Sequence, residues 1–300
     1  MSQMTSRQII RVGVLWAWTI FMTAFTVVLG GLPLRALRRD FGRVGYWTSG
    51  IVTTGLLIAG DLKVFAALYL SLVVLVGLFA EWEELGMSLA ASAFFSVVTT
   101  ALVSAAGVAL WISRTGAGWK EIILARLNEA LKPAMDLAPS FQFSSNDIML
   151  QLPSIVIVMW LGTLYLAVLL EKKAVVKSRH AQYEVSFREE LSRIHMPSFV
   201  IWAFILALLG AFGDFGKVSL QAGSVNVLNV CLMLFFFQGL AVIYRFFAVF
   251  RIGFIWQALL MIILVGQLFL LVSLLGLIDH WIDFRTRLSK GREQMNNELQ

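Results

Sequence analysis

Long apolar runs separated by short charged ones make up almost the whole 300-residue chain. A bilayer's hydrocarbon core is crossed by ~20 mostly apolar helical residues, which sets the scale for reading those runs. The first, residues 12–34, follows Arg7 and Arg11; it is too long for a secretory signal and no small-x-small cleavage site follows it, so it reads as a retained span. A basic loop at 35–43 comes next. Two shorter runs, 46–60 and 64–80, are separated by Asp61 and Lys63 and read as a hairpin or as one broken element. Beyond the acidic turn 81–84 lie runs at 86–112, 152–170, 198–212, 225–247 and 252–278, with a basic loop at 171–197. Eight apolar segments predict an all-α fold: a polytopic transmembrane helical bundle forming one integral membrane domain over residues 1–300.

A different period appears at about 118–139. Trp119, Ile123, Leu127, Ala130, Ala134 and Ala138 recur at helical spacing, while Lys120, Arg126, Glu129, Lys132 and Asp136 fill the other positions. This pattern predicts an amphipathic helix lying in the headgroup layer, or a lid over a cavity.

Composition turns the membrane reading into an exclusion. With 59% apolar residues, 14% charged ones and a mean hydropathy of +0.82, the chain is not a soluble enzyme, a DNA-binding domain or a secreted scaffold. The net charge of +6 is scattered, which suits loops facing anionic headgroups and does not imply nucleic acid. Cys231, the single cysteine, lies inside an apolar run and reads as a small hydrophobe. Lys and Arg residues set orientation. Threading eight crossings places twelve on each side, a tie that makes one crossing suspect; if 198–212 were re-entrant the count would become fifteen against nine. Loops 35–43 and 171–197 are assigned to the cytoplasm.

Polar side chains at membrane depth are costly unless bonded, so each marks a helix–helix bond or a site. Asn226, Asn229 and Gln238 lie in one run, with Gly239 beside the glutamine, and Gln267 lies in the next. Advancing ~100° per residue, Asn226 and Asn229 face about the same way, but Gln238 points roughly half a turn from Asn229. These four are the candidate ligand-binding residues, with structural bonding as the other reading. At the end of the last run Asp279, Asp283 and Arg287 recur every fourth residue, which would stack them on one helix face. Trp281 has the character of an interfacial anchor, and Arg285 completes the motif. His280 projects ~100° from Asp279, so a metal site is not predicted there. Ala101, Ala105 and Ala109, four apart, would admit a second helix closely. No nucleotide-binding, zinc-protease or serine-hydrolase motif occurs, and the three histidines are scattered, so no catalytic residue, cofactor or metal is assigned and the chain is not expected to be an enzyme.

The order of these features resembles the YybS-like family of predicted bacterial membrane proteins. The likeness covers nearly the whole chain and is most specific in Gln238-Gly-Leu-Ala-Val-Ile-Tyr244 and in Leu275-Gly-Leu-Ile-Asp-His-Trp-Ile-Asp-Phe-Arg285. That resemblance implies a fold similar to the substrate-binding membrane subunits of energy-coupling-factor transporters and to MreD, in the bacterial inner membrane. It also implies a small-molecule ligand and docking onto a membrane partner through small residues on a helix. The first span lacks the alanine pattern associated with such docking; the alanine ladder stands in the fourth. A transporter-type binding subunit is therefore the first expectation, and a scaffold or assembly protein, partnered or homo-oligomeric, is the alternative.

Overall fold

The computed structural model describes residues 6–137, 144–175, 196–213, 218–284 and 287. Among them every regular element is helical. The chain divides into two compact units, residues 1–179 and 180–300, and each is described separately.

In the first unit, the run at 12–34 is not one span. Helix α1, Ser6–Phe25, stops where Thr26 turns extended, and a short 3-10 turn, Val27–Gly30, leads into α2, Gly31–Ala59. Pro33 falls in the first turn of α2, where its missing N–H costs nothing. The expected loop at 35–43 is helical and belongs to α2, whose two halves meet at Gly42 in a left-handed kink (φ 68°) that an L side chain resists. Its charges are stable in a helix because α3, Lys63–Glu84, brings glutamates alongside them. The runs at 46–60 and 64–80 are the two arms of a hairpin across a turn at 60–62, where Lys63 lies 2.9 Å from Asp61 and holds its carboxyl below the usual carboxylate range. The core between the arms is built on Tyr46, Tyr69, Leu72, Val76 and Phe79, with the Tyr46 hydroxyl donating to the Val73 carbonyl at 2.7 Å.

Helix α4, Leu89–Thr115, starts at the Ser88 cap, which accepts from Ala91 N–H, and stops at Gly116 (φ 75°). Helix α5, Trp119–Leu137, is the amphipathic element the periodicity predicts. Ile123, Leu124, Leu127 and Leu131 are half-buried while Lys120, Arg126, Glu129 and Lys132 are exposed, and Ser145 donates to Asn128 to tie α5 to α6, Ser145–Val175. The amphipathic positions beyond 137, and 176–195 of the basic loop, lie outside the described residues.

The second unit holds α7, Phe199–Phe212; α8, Val218–Val249; α9, Phe254–Gly266; and α10, Phe269–Ile282. Its core forms where α7 and α8 pack through Val200, Ile201, Cys231 and Phe235, so Cys231 is a core hydrophobe. The run at 252–278, expected to be one tilted span, is two helices bent by 97° at Gln267. Among the described residues, four helices (α3, α4, α6 and α8) are long and apolar enough to cross a bilayer, five if the bent pair is one span; residues 13–24 and 199–212 are shorter apolar helices. The eight apolar segments are thus present, but fewer of them have the length of a full crossing.

Candidate functional site

The two stretches carrying the most specific sequence signature come together in the second unit. Glycines make this possible. A Cβ on Gly239 would lie 2.9 Å from the Val272 carbonyl carbon and closer still to its oxygen. One on Gly276 would lie 2.6 Å from the Gly239 nitrogen and closer still to the Phe235 oxygen. Helices α8 and α10 are therefore in backbone contact at Gly239 and Gly276, the close approach that small residues permit in lipid. Gly276 was not picked out from the sequence; its position four residues after Val272, in a run otherwise rich in leucine, was the available signal.

That contact seats Gln238, which is fully buried. Its Nε2 donates to Asp279 Oδ2 at 3.2 Å, and its Oε1 accepts the Met196 N–H at 3.1 Å. Asp279, also fully buried, accepts the Phe284 N–H on Oδ1 at 2.9 Å. One amide and one carboxylate thus fasten the entry to α7, the middle of α8 and the end of α10. The structural-bond reading of Gln238 fits this arrangement, since both ends of its amide are used within the protein.

The stacking of Asp279, Asp283 and Arg287 on one face does not occur. The helix stops at Ile282 and Asp283 takes a left-handed conformation (φ 49°), as a C-capping residue does, so Asp279 turns inward and Asp283 outward. The Arg287 N–H donates to the Asp283 carbonyl at 3.3 Å. Trp281 is 64% exposed, as an interfacial anchor would be, and Arg285 lies outside the described residues. His280 Nε2 lies 3.5 Å from Ser198 Oγ, while Asp279 directs its two oxygens to Gln238 and Phe284.

The four candidate ligand residues do not converge. Asn226 lies twelve residues before Gln238 on α8, ~18 Å along the axis, and donates to its own helix at the Ala222 carbonyl. Asn229 is half-buried, and Gln267 is exposed at the α9–α10 break rather than inside a span.

In the first unit the alanine ladder is not a packing face within the chain: Ala105 and Ala109 are exposed and Ala101 half-buried. The face of α4 that packs inward is Ser92, Ser96 and Thr100, each fully buried, with the same four-residue spacing. Hydroxyls hid that stripe from a reading that looked for alanine. The sequence reading also missed a charge cluster between α2 and α3. Arg38, 6% exposed, bonds Glu81 at 3.2 Å and Glu84 at 2.9 Å; Arg43, on the other side of the Gly42 kink, reaches the same Glu81 oxygen at 3.1 Å; and Arg35 pairs with Glu83 at 2.9 Å while stacking on Phe79. Pairing makes burial of the Arg35 and Arg38 guanidinium groups tolerable. Nothing in the local sequence linked charges some forty residues apart.

The family model of predicted membrane proteins designated DUF2232 matches residues 14–280, about nine-tenths of the chain. The chain belongs to the DUF2232 family. Its match spans both the Arg38–Glu81 cluster and the Gln238–Asp279 contact, so both lie within the DUF2232 region. No curated protein and no solved structure matches the chain.

Proposed function

We propose that this DUF2232 protein is a non-catalytic subunit of a larger assembly in the bacterial inner membrane, docking onto another integral membrane protein through α4. The observation that carries this reading is the exposure of α4. Only 17% of its most apolar stretch is buried within the chain, against 39–50% for the other three helices of spanning length. Its exposed surface carries small residues, Ala105, Ala106, Gly107 and Ala109, between the exposed Leu102, Val103, Val108 and Leu110, and a Cβ at Gly107 would meet nothing within 4 Å. Lipid tails solvate bulky side chains as readily as small ones, whereas helix association in lipid depends on close approach of backbones. A ladder of small residues on an outward face therefore supports a protein neighbour. The resemblance to YybS-like proteins, and through them to transporter binding subunits and MreD, implies docking of the same kind. A ligand-binding role draws no comparable support, because Asn226, Asn229, Gln238 and Gln267 point to no common space.

A photoreactive amino acid at position 105, irradiated in native membranes, tests this. The expected product is a covalent adduct with one integral membrane protein, abolished when Ala109→Leu is added on the same face. Adducts with lipid alone, or with a second copy of the chain alone, would overturn it.

A further inference from the structure

The interruption between α1 and α2 lies at the depth of the bilayer's middle. A Cβ on Gly30 would fall on the Thr23 hydroxyl and stand 3.1 Å from Leu72 Cδ1, which fixes the interruption beside Leu72. Leu72 is nine residues from Lys63 and nine from Glu81, the charges that mark the two ends of α3, so it stands ~14 Å from either, halfway through a ~30 Å hydrocarbon core. The joints on either side agree with that depth. Before the interruption Trp16 Nε1 donates to Thr53, toward the Asp61–Lys63 end of the hairpin; after it Arg38 reaches Glu81 at the other end.

Two features set this interruption apart from an ordinary helix end. The first is its backbone. Thr26 N–H closes the last turn of α1 on the Met22 carbonyl at 2.9 Å, and Thr26 itself is extended (φ −148°, ψ 127°) and exposed, so the carbonyls of Thr23, Ala24 and Phe25 have no helical N–H ahead of them. The 3-10 turn uses N–H groups internally, Leu29 donating to the Thr26 carbonyl at 3.0 Å and Gly31 to that of Leu29. What α1 presents to the break is carbonyl oxygen, at the negative end of its dipole. The second feature is Thr23. It is 1% exposed and its hydroxyl has no partner among the described residues, whereas Thr19, Thr53, Thr54 and Thr163 each bond the carbonyl four residues back at 2.7–2.8 Å. Non-helical backbone at membrane depth persists only where protein or water covers it, and a buried hydroxyl without a bond is costly.

We propose that the interruption at 26–30 is a binding site for an alkali-metal cation in a water-filled recess, with the Thr23 hydroxyl and the last carbonyls of α1 as its oxygen ligands. The chemistry selects the ion. Residues 14–34 hold no Cys, His, Asp or Glu for a transition metal or a divalent ion, and no Lys or Arg for an anion, so only neutral oxygens are offered. Unwound carbonyls and the C-terminal ends of half-helices near the midplane are the groups by which membrane proteins coordinate sodium. The site is independent of docking through α4.

The full-length chain, purified in a non-ionic detergent, is unfolded by heat and followed by tryptophan fluorescence, with NaCl or KCl exchanged for choline chloride at constant ionic strength. At least one of the two alkali ions should raise the midpoint saturably. Thr23→Val should need roughly tenfold more of that ion, the loss of one bond to a charged group, while Thr19→Val, whose hydroxyl is bonded within α1, should respond as the parent does. In vesicles, with Cys231→Ala, Thr26→Cys should react with a small charged methanethiosulfonate and be slowed by the same ion. Ile51→Cys, exposed beside the Gly50–Val73 contact at the same depth, should stay unreactive. The parent titration and the labelling both decide the matter if Thr23→Val does not fold. Equal midpoints in the three salts, a Thr23→Val response equal to the parent's, or a Thr26→Cys no more reactive than Ile51→Cys would overturn the proposal.

Discussion

A single methyl group added at Gly276 should drive α8 and α10 apart. Its carbon would stand 2.6 Å from the Gly239 nitrogen and 2.9 Å from the Phe235 carbonyl carbon, where ~3.5 Å is the comfortable separation. The obstructing atoms are backbone, so no rotamer change relieves the clash and the helices must separate by about 1 Å. Overpacking of this kind costs ~1–3 kcal/mol. The same shift would stretch the 3.2 Å Gln238–Asp279 bond beyond useful length, adding about 0.6 kcal/mol and at most ~1.7. Gly276→Ala should therefore lower stability by roughly 2–4 kcal/mol, combining both effects. Gly223→Ala on the same helix pair is the control: a Cβ there meets nothing within 4 Å, and a helical Gly→Ala change at an open position is neutral or stabilising. Unfolding in mixed micelles with rising SDS, followed by tryptophan fluorescence, reads both. Equal midpoints for Gly276→Ala, Gly223→Ala and the parent chain would refute the backbone contact.

Three pairs of substitutions test the remaining joints by the same unfolding assay. Gln238→Leu removes the partner of the half-buried Met196 N–H and of the buried Asp279, and should cost ~1–3 kcal/mol, whereas Asp283→Asn at the exposed, left-handed end of α10 should stay within about 0.5. Arg38→Met leaves Glu81 to Arg43 alone and the 60% exposed Glu84 to solvent, and should cost ~1–3 kcal/mol, while Arg39→Ala, at the pair with Asp40, should cost no more than ~1. Ser96→Leu, on the buried stripe of α4, should destabilise the isolated chain by ~1–3 kcal/mol, and Ala105→Leu, on the exposed face, should leave it unchanged.

How much of this was legible depends on whether the determining contact is local. The helices of the apolar runs and of α5 were legible, because apolar runs and the 3.6-residue period are properties of neighbouring residues. The pairing of Gln238 with the Asp279 end was legible in part. Both stood out as polar groups against apolar helix, but their 41-residue separation gave no hint that they bond each other. Residues 35–43 looked like a loop because their charges are answered by Glu81, Glu83 and Glu84 on the next helix. The break at Gln267 was marked only by Gly266-Gln267, in a run with neither proline nor charge, where a glutamine reads equally as a bond between helices. The alanine ladder pointed to the right helix and the wrong face for internal packing, because serine and threonine serve as small residues there and bond their own backbone, as Ser96 does with the Ser92 carbonyl.

The claim that this DUF2232 protein works as a docked subunit stands or falls on its mass in the native bilayer. Membranes extracted as polymer-bounded discs, without detergent, allow the particle containing the 33.5 kDa chain to be weighed for the parent and for Ala105→Leu. The account predicts a particle with a second integral membrane protein for the parent and the chain alone for Ala105→Leu, with both variants equally folded. A parent that is already alone, or an Ala105→Leu particle of unchanged mass, would contradict it.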